Sequence, residues 1–119
     1  MPESEDPPYA FTGLDRVFHE RARLGIVTSL AGQPGGLQFA DLRSLCGLTD
    51  GNLNRHLATL EQAGFLVVTK GAARGRRATT CRLTEFGRER FIAYLAALED
   101  ALREGTRATA AMALRPGTT

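Results

Sequence analysis

The stretch LTDGNLNRHLATLEQAGFLVVTKG, Leu48 to Gly71, changes period partway along. Apolar residues first recur at helical spacing (Leu53, Leu57, Leu60), and FLVV then runs unbroken into Lys70 and Gly71. The helical half carries Asp50, Asn52, Asn54, Arg55 and Thr59 on its polar side. Thr49 is suited to cap the start of this helix and Gly64 to end it, so the spacing predicts a helix over residues 49–63. Phe65 to Lys70 then reads as a strand, Gly71 to Arg77 as a glycine-containing loop, and Ala78 to Leu83 as the returning strand of a β-hairpin.

The flanking chain extends this pattern. Residues 1–12 read as a flexible acidic, proline-rich arm. A first helix is expected over about Leu14 to Ala31, with Leu14, Val17, Phe18, Leu24, Val27 and Leu30 on its apolar face. The sequence GQPGG, Gly32 to Gly36, stops it. LQF is a candidate extended pairing segment, and a short second helix from about Phe39 to Cys46 is expected to bury Leu42, Leu45 and Cys46. Gly47 permits a tight turn into the next helix. Thr84 and Glu85 open a long last helix to about Glu104, and residues 105–119 form a tail. The expected fold is mainly α with a small β-hairpin, an α+β domain over residues 13–104.

Composition narrows the function classes. A chain of 119 residues supports one modest core, and 24% charged residues is ordinary for a globular domain. No signal peptide or membrane span is legible, so a cytoplasmic protein is expected. The formal charge is only +2, but it is uneven. Residues 1–15 carry four acids and no base, whereas residues 70–77 carry Lys70, Arg74, Arg76 and Arg77 and no acid. Fourteen of the fifteen basic residues are arginine, whose planar fork suits phosphates and guanine edges.

Two short helices joined by a tight turn, the second led by amides and an arginine, suit insertion into the DNA major groove. Asn pairs with adenine and Arg with guanine on their exposed edges. Arginines held on a hairpin tip can follow a phosphate backbone or enter the minor groove. The candidate DNA-binding residues are therefore Thr49, Asn52, Asn54, Arg55 and Thr59 on the helix, with Lys70, Arg74, Arg76 and Arg77 on the hairpin.

NLNRHLATLEQAGFL resembles the recognition helix and first wing strand of winged helix-turn-helix transcriptional regulators of the MarR and ArsR kind. CRLTEFGRERF is similar to their second wing strand and following helix. The likeness covers about Leu14 to Leu98. It implies a dimeric DNA-binding regulator, a repressor on a palindromic operator, with a recognition helix at 49–63 and a wing at 66–83. One departure is Arg43, where many helix-turn-helix motifs carry a small residue.

Phe91, Leu95, Leu98 and Leu102 recur at coiled-coil-like spacings and form the expected homodimer seam, widened by Ile92, Tyr94 and Ala96–Ala97; the alternative is that this face packs only on the protomer's own first helix. His56 is expected to pack beside the buried face. Cys46 and Cys81 occupy apolar helix and strand positions, as small buried residues do. Their alternative use is metal or redox sensing, although no closely spaced Cys/His set is present. No metal or cofactor is expected. No phosphate-cradling glycine loop or nucleophile elbow appears, which argues against an enzyme. The rival reading is a winged helix that docks proteins without binding DNA. A small-molecule effector cannot be read from the chain.

Overall fold

Leu53, Leu57 and Leu60 meet Phe18, Ile26, Val27, Leu30, Leu42, Phe65, Leu66, Cys81, Phe91 and Tyr94 in one buried cluster, so every element contributes to a single core. The computed structural model describes residues 7–73 and 75–113, with backbone alone at Ala73 and Arg76. Its elements run α1 (Arg21–Ala31), β1 (Leu37–Gln38), α2 (Phe39–Cys46), α3 (Asp50–Gln62), β2 (Leu66–Ala73), β3 (Arg76–Leu83) and α4 (Glu85–Ala113). This is the expected α+β arrangement of four helices and a small antiparallel sheet.

The first helix begins later than the apolar period suggests. Leu14, Val17 and Phe18 do join or pack on the core, but from a chain of turns. Two side chains capture the backbone there: Asp15 Oδ1 accepts the Val17 N–H, and Glu20 Oε1 accepts the Arg23 N–H. Glu20 is extended, with φ −145° and ψ 131°, and caps α1.

The turn between α2 and α3 forms as expected. Gly47 takes a left-handed φ of +64°, and its N–H closes onto α2 carbonyls. The Thr49 hydroxyl accepts the Asn52 N–H to start α3. Gly64, at φ +84°, follows the Ala63 cap and redirects the chain into β2. Leu45, expected inside, is 65% exposed, because an eight-residue helix turns only Leu42 fully into the core.

β3 lies between β1 and β2, with Cys81 opposite Leu37 on one side and Val68 on the other. Of the expected LQF segment, Leu37 and Gln38 supply this third strand, while Phe39 opens α2. The hairpin is longer than the expected loop allows. Its ladder continues through Gly71↔Ala78 and Ala72↔Arg77 to Ala73↔Arg76, with Gly75 at φ +76°. Small side chains at Gly71 and Ala72 do not obstruct pairing, and pairing satisfies backbone groups that an open loop would leave to water.

α4 also exceeds its expected end at Glu104, continuing to Ala113. Thr84 secures its start: its hydroxyl accepts the Gly87 N–H at 2.9 Å and donates to the Gly64 carbonyl at 2.7 Å. Gly87 lies directly on the Phe65 carbonyl, where a side chain would collide. Phe91 and Tyr94 belong to the protomer's own core, around Phe18 at ring-centroid distances of 5.4 and 5.6 Å. Phe91, expected in the dimer seam, and Tyr94, expected to widen it, thus pack within the protomer. Leu98 is half-buried on the same core, while Leu95 and Leu102 are exposed.

Candidate nucleic-acid interface

Burying Leu53, His56, Leu57 and Leu60 fixes how α3 presents the rest of its surface. At 3.6 residues per turn, Gly51, Arg55, Ala58 and Gln62 form the outward ridge. Asn54 and Glu61 fall on the flank nearer the hairpin, and Asn52 with Thr59 on the opposite flank. Arg55, Asn52 and Asn54 are all exposed. Two small residues on the ridge leave Arg55 as its main projection, so another surface can approach the helix closely.

The hairpin register adds the second half of the surface. Leu66, Val68, Lys70 and Ala72 share one face of β2, opposite Leu83, Cys81, Thr79 and Arg77 of β3. That face begins in the core at Leu66 and Cys81 and continues outward to Lys70 and Arg77. Lys70 and Thr79 meet Asn54 and Ala58 along a groove of about 430 Å³, with Phe39, Leu57, Glu61 and Val68 at its base and sides. Lys70 and Arg77 also border the next depression toward the tip. Helix and hairpin therefore line one groove together, and the hairpin alone lines the adjacent depression, which shares Lys70 and Thr79 with it.

The expected site residues divide accordingly. Asn54 and Lys70 line the groove, Arg77 borders the adjacent depression and Arg55 stands on the adjoining ridge. Asn52 is on the far flank. The Thr49 hydroxyl is engaged as an acceptor in the cap, and the half-buried Thr59 donates its hydroxyl hydrogen to the Arg55 carbonyl. The Thr49 hydroxyl keeps its own hydrogen to donate, whereas that of Thr59 is committed to the helix. Arg74 and the Arg76 side chain lie outside the described residues.

His56 is 8% exposed and packs where expected, but within a polar network that the sequence does not disclose. Arg23 Nη1 lies 3.2 Å from His56 Nδ1, Arg23 Nε donates to the Val17 carbonyl, and Glu20 Oε1 lies 4.0 Å from the same histidine nitrogen. The Arg23 N–H holds the Glu20 carboxyl below its ordinary value, aided by the charges of His56 and Arg23 and opposed by burial. The network joins the start of α1 to the middle of α3 and holds the helix in place.

The Cys81 thiol is pushed up to about 11, first by burial and then by the Glu61 charge. A thiol so raised is a poor nucleophile and metal ligand at neutral pH. Cys46 is half-buried near Ser29 Oγ, at 3.8 Å. Among the described residues, no three His, Cys, Asp or Glu side chains gather as a metal site would require. No described helix is long and apolar enough to cross a membrane.

A further pair at this surface escapes sequence reasoning. Arg43 of α2 and Asp50 at the front of α3 form an ion pair of 2.7 Å, at the position where the sequence departs from the usual helix-turn-helix pattern.

Residues 22–102 match the sequence family described as "Winged helix DNA-binding domain". An uncharacterised protein of Methanocaldococcus jannaschii is 35% identical over 80 residues, spanning 67% of this chain and 86% of the relative. Among solved structures, a transcriptional regulator homologue of Pyrococcus horikoshii superposes with a TM-score of 0.69 at 28% identity, over 74% of this chain and 86% of that one. The MepR protein of Staphylococcus aureus, in a DNA complex, shares the fold with a TM-score of 0.65 at 19% identity, over 89% and 86% of the two chains. The chain belongs to the winged helix DNA-binding domain family.

Proposed function

We propose that the protein is a sequence-specific transcriptional regulator, a repressor that binds a palindromic operator as a homodimer. The observation that carries this reading is the shared groove, in which Asn54 faces Lys70 and Thr79, with Arg77 further along the same strand face. A duplex seated there meets amide and guanidinium donors from α3 and cationic side chains from the hairpin. The first group suits base edges and the second suits phosphates. The fold shared with a regulator solved on DNA supports the same assignment.

The dimer reading rests on α4. Phe91, Tyr94 and Leu98 form a stripe on the protomer core, and the same stripe continues at heptad-like spacing through Leu102, Gly105, Thr109 and Met112. Leu102 and Met112 are 64% and 61% exposed, and the outer turns of α4 reach beyond the core. A two-fold partner is the ordinary way to cover such a stripe.

Salt titration tests DNA binding. Lys70→Ala and Arg77→Ala should each weaken binding to any duplex and flatten the salt slope by about one unit per lost phosphate contact. Unchanged slopes in both variants would remove the hairpin from the interface.

A further inference from the structure

We propose that Arg43 and Asp50 form a phosphate clamp at the edge of the DNA-binding surface: Asp50 aims the Arg43 guanidinium at a backbone phosphodiester. The inference rests on the DNA-binding reading above and adds a contact from α2 to it. Phe39 of α2 and Asn54 of α3 line the same groove. One turn forward from Phe39 is Arg43, and one turn back from Asn54 is Asp50. The two helices thus present the ion pair as the next rung beyond the groove, on the side of the α3 N-terminus.

The pair's exposure fits binding better than folding. Arg43 and Asp50 side chains retain 42% and 66% of their accessible surface, and exposed ion pairs contribute little to stability. Among the described residues, the Arg43 guanidinium is engaged through Nη1 alone, at 2.7 Å from Asp50 Oδ1. A guanidinium carries five N–H donors in a rigid fork, so those not directed at Asp50 remain to meet phosphate oxygens. An unbraced aspartate at this edge would repel a phosphate. Asp50 tied to Arg43 instead restrains a long side chain and lowers the ordering cost of the contact. The other acid of α3 is engaged too, by the hairpin: Glu61 Oε2 accepts the Val68 N–H at 3.4 Å. In this arrangement Arg43 touches the phosphate and Asp50 is a positioning residue.

The sign of one substitution separates this account from simple charge. Removing a negative charge near DNA should tighten binding if Asp50 acts only through its field. The clamp predicts that Asp50→Asn weakens binding about threefold to tenfold, and that Asp50→Glu recovers part of the loss. Arg43→Ala should weaken binding about tenfold and lower the salt slope by about one unit. Asp50→Asn added to Arg43→Ala should cause no further loss, because the aspartate then has nothing to aim. Arg43→Lys should keep most of the slope while losing affinity, since a lysine retains charge without the fork. These variants should be titrated by fluorescence anisotropy on a random-sequence duplex between about 50 and 200 mM salt, with thermal unfolding measured alongside. Asp50→Asn binding as tightly as the parent, or more tightly, overturns the clamp, as does an unchanged salt slope in both Arg43 variants. Failure of the parent protein to bind any duplex would instead sink the DNA-binding reading and the clamp with it.

Discussion

At the residue scale, α3 separates structural from exposed polar groups by face. His56 points inward to Arg23 and Glu20, while its neighbour Arg55 points out. Base reading is proposed for Asn54 and Arg55. Either residue changed to Ala should cost about 1–3 kcal/mol on the preferred site and much less on random duplex, as measured by competition binding. Equal losses on both DNAs would reassign the residue to a backbone contact. The residue types at this site were legible in the sequence, because an amide-rich face opposite a leucine face needs only helical spacing to be seen. Their grouping was not. Placing Asn54 with Lys70 and Asn52 on the far flank depends on where the hairpin docks, and pairing Arg43 with Asp50 depends on the angle of the turn at Gly47.

At the element scale, local signals located the elements well and their ends less well. The period change at Gly64, the cap at Thr84 and the breaker run after Ala31 all mark real boundaries. The start of α1 was hidden because Asp15 and Glu20 side chains compete for backbone N–H groups, whereas the apolar period runs on through them. The heptad-like seam of α4 was legible, but spacing cannot say which copy of the chain fills each part. Phe91 and Tyr94 are filled by the protomer itself. Gly87 makes that packing possible by letting α4 lie against the Phe65 carbonyl. Gly87→Ala should therefore destabilise the fold by about 1–3 kcal/mol in urea unfolding, even though alanine favours helix. A neutral or stabilising result would mean that α4 can shift away from β2 at little cost.

At the scale of the whole molecule, the described chain is elongated, at 70 × 41 × 22 Å, and its longest element is the 29-residue α4. One recognition helix reads only a few base pairs, so a dimer joined along α4 would extend the site to two half-sites about 34 Å apart. Leu102→Glu, outside the protomer core, should leave the unfolding midpoint nearly unchanged, shift the protein toward monomer in sedimentation equilibrium and weaken operator binding. A parent protein that stays monomeric at micromolar concentration, with and without DNA, would exclude that assembly. The central claim, specific reading of duplex DNA, is tested most directly by selecting bound DNA from a random duplex pool. The account predicts enrichment of an inverted repeat with half-site centres about one helical turn apart, lost when Asn54 and Arg55 are both replaced by Ala. A pool that shows no enriched sequence after selection would contradict it.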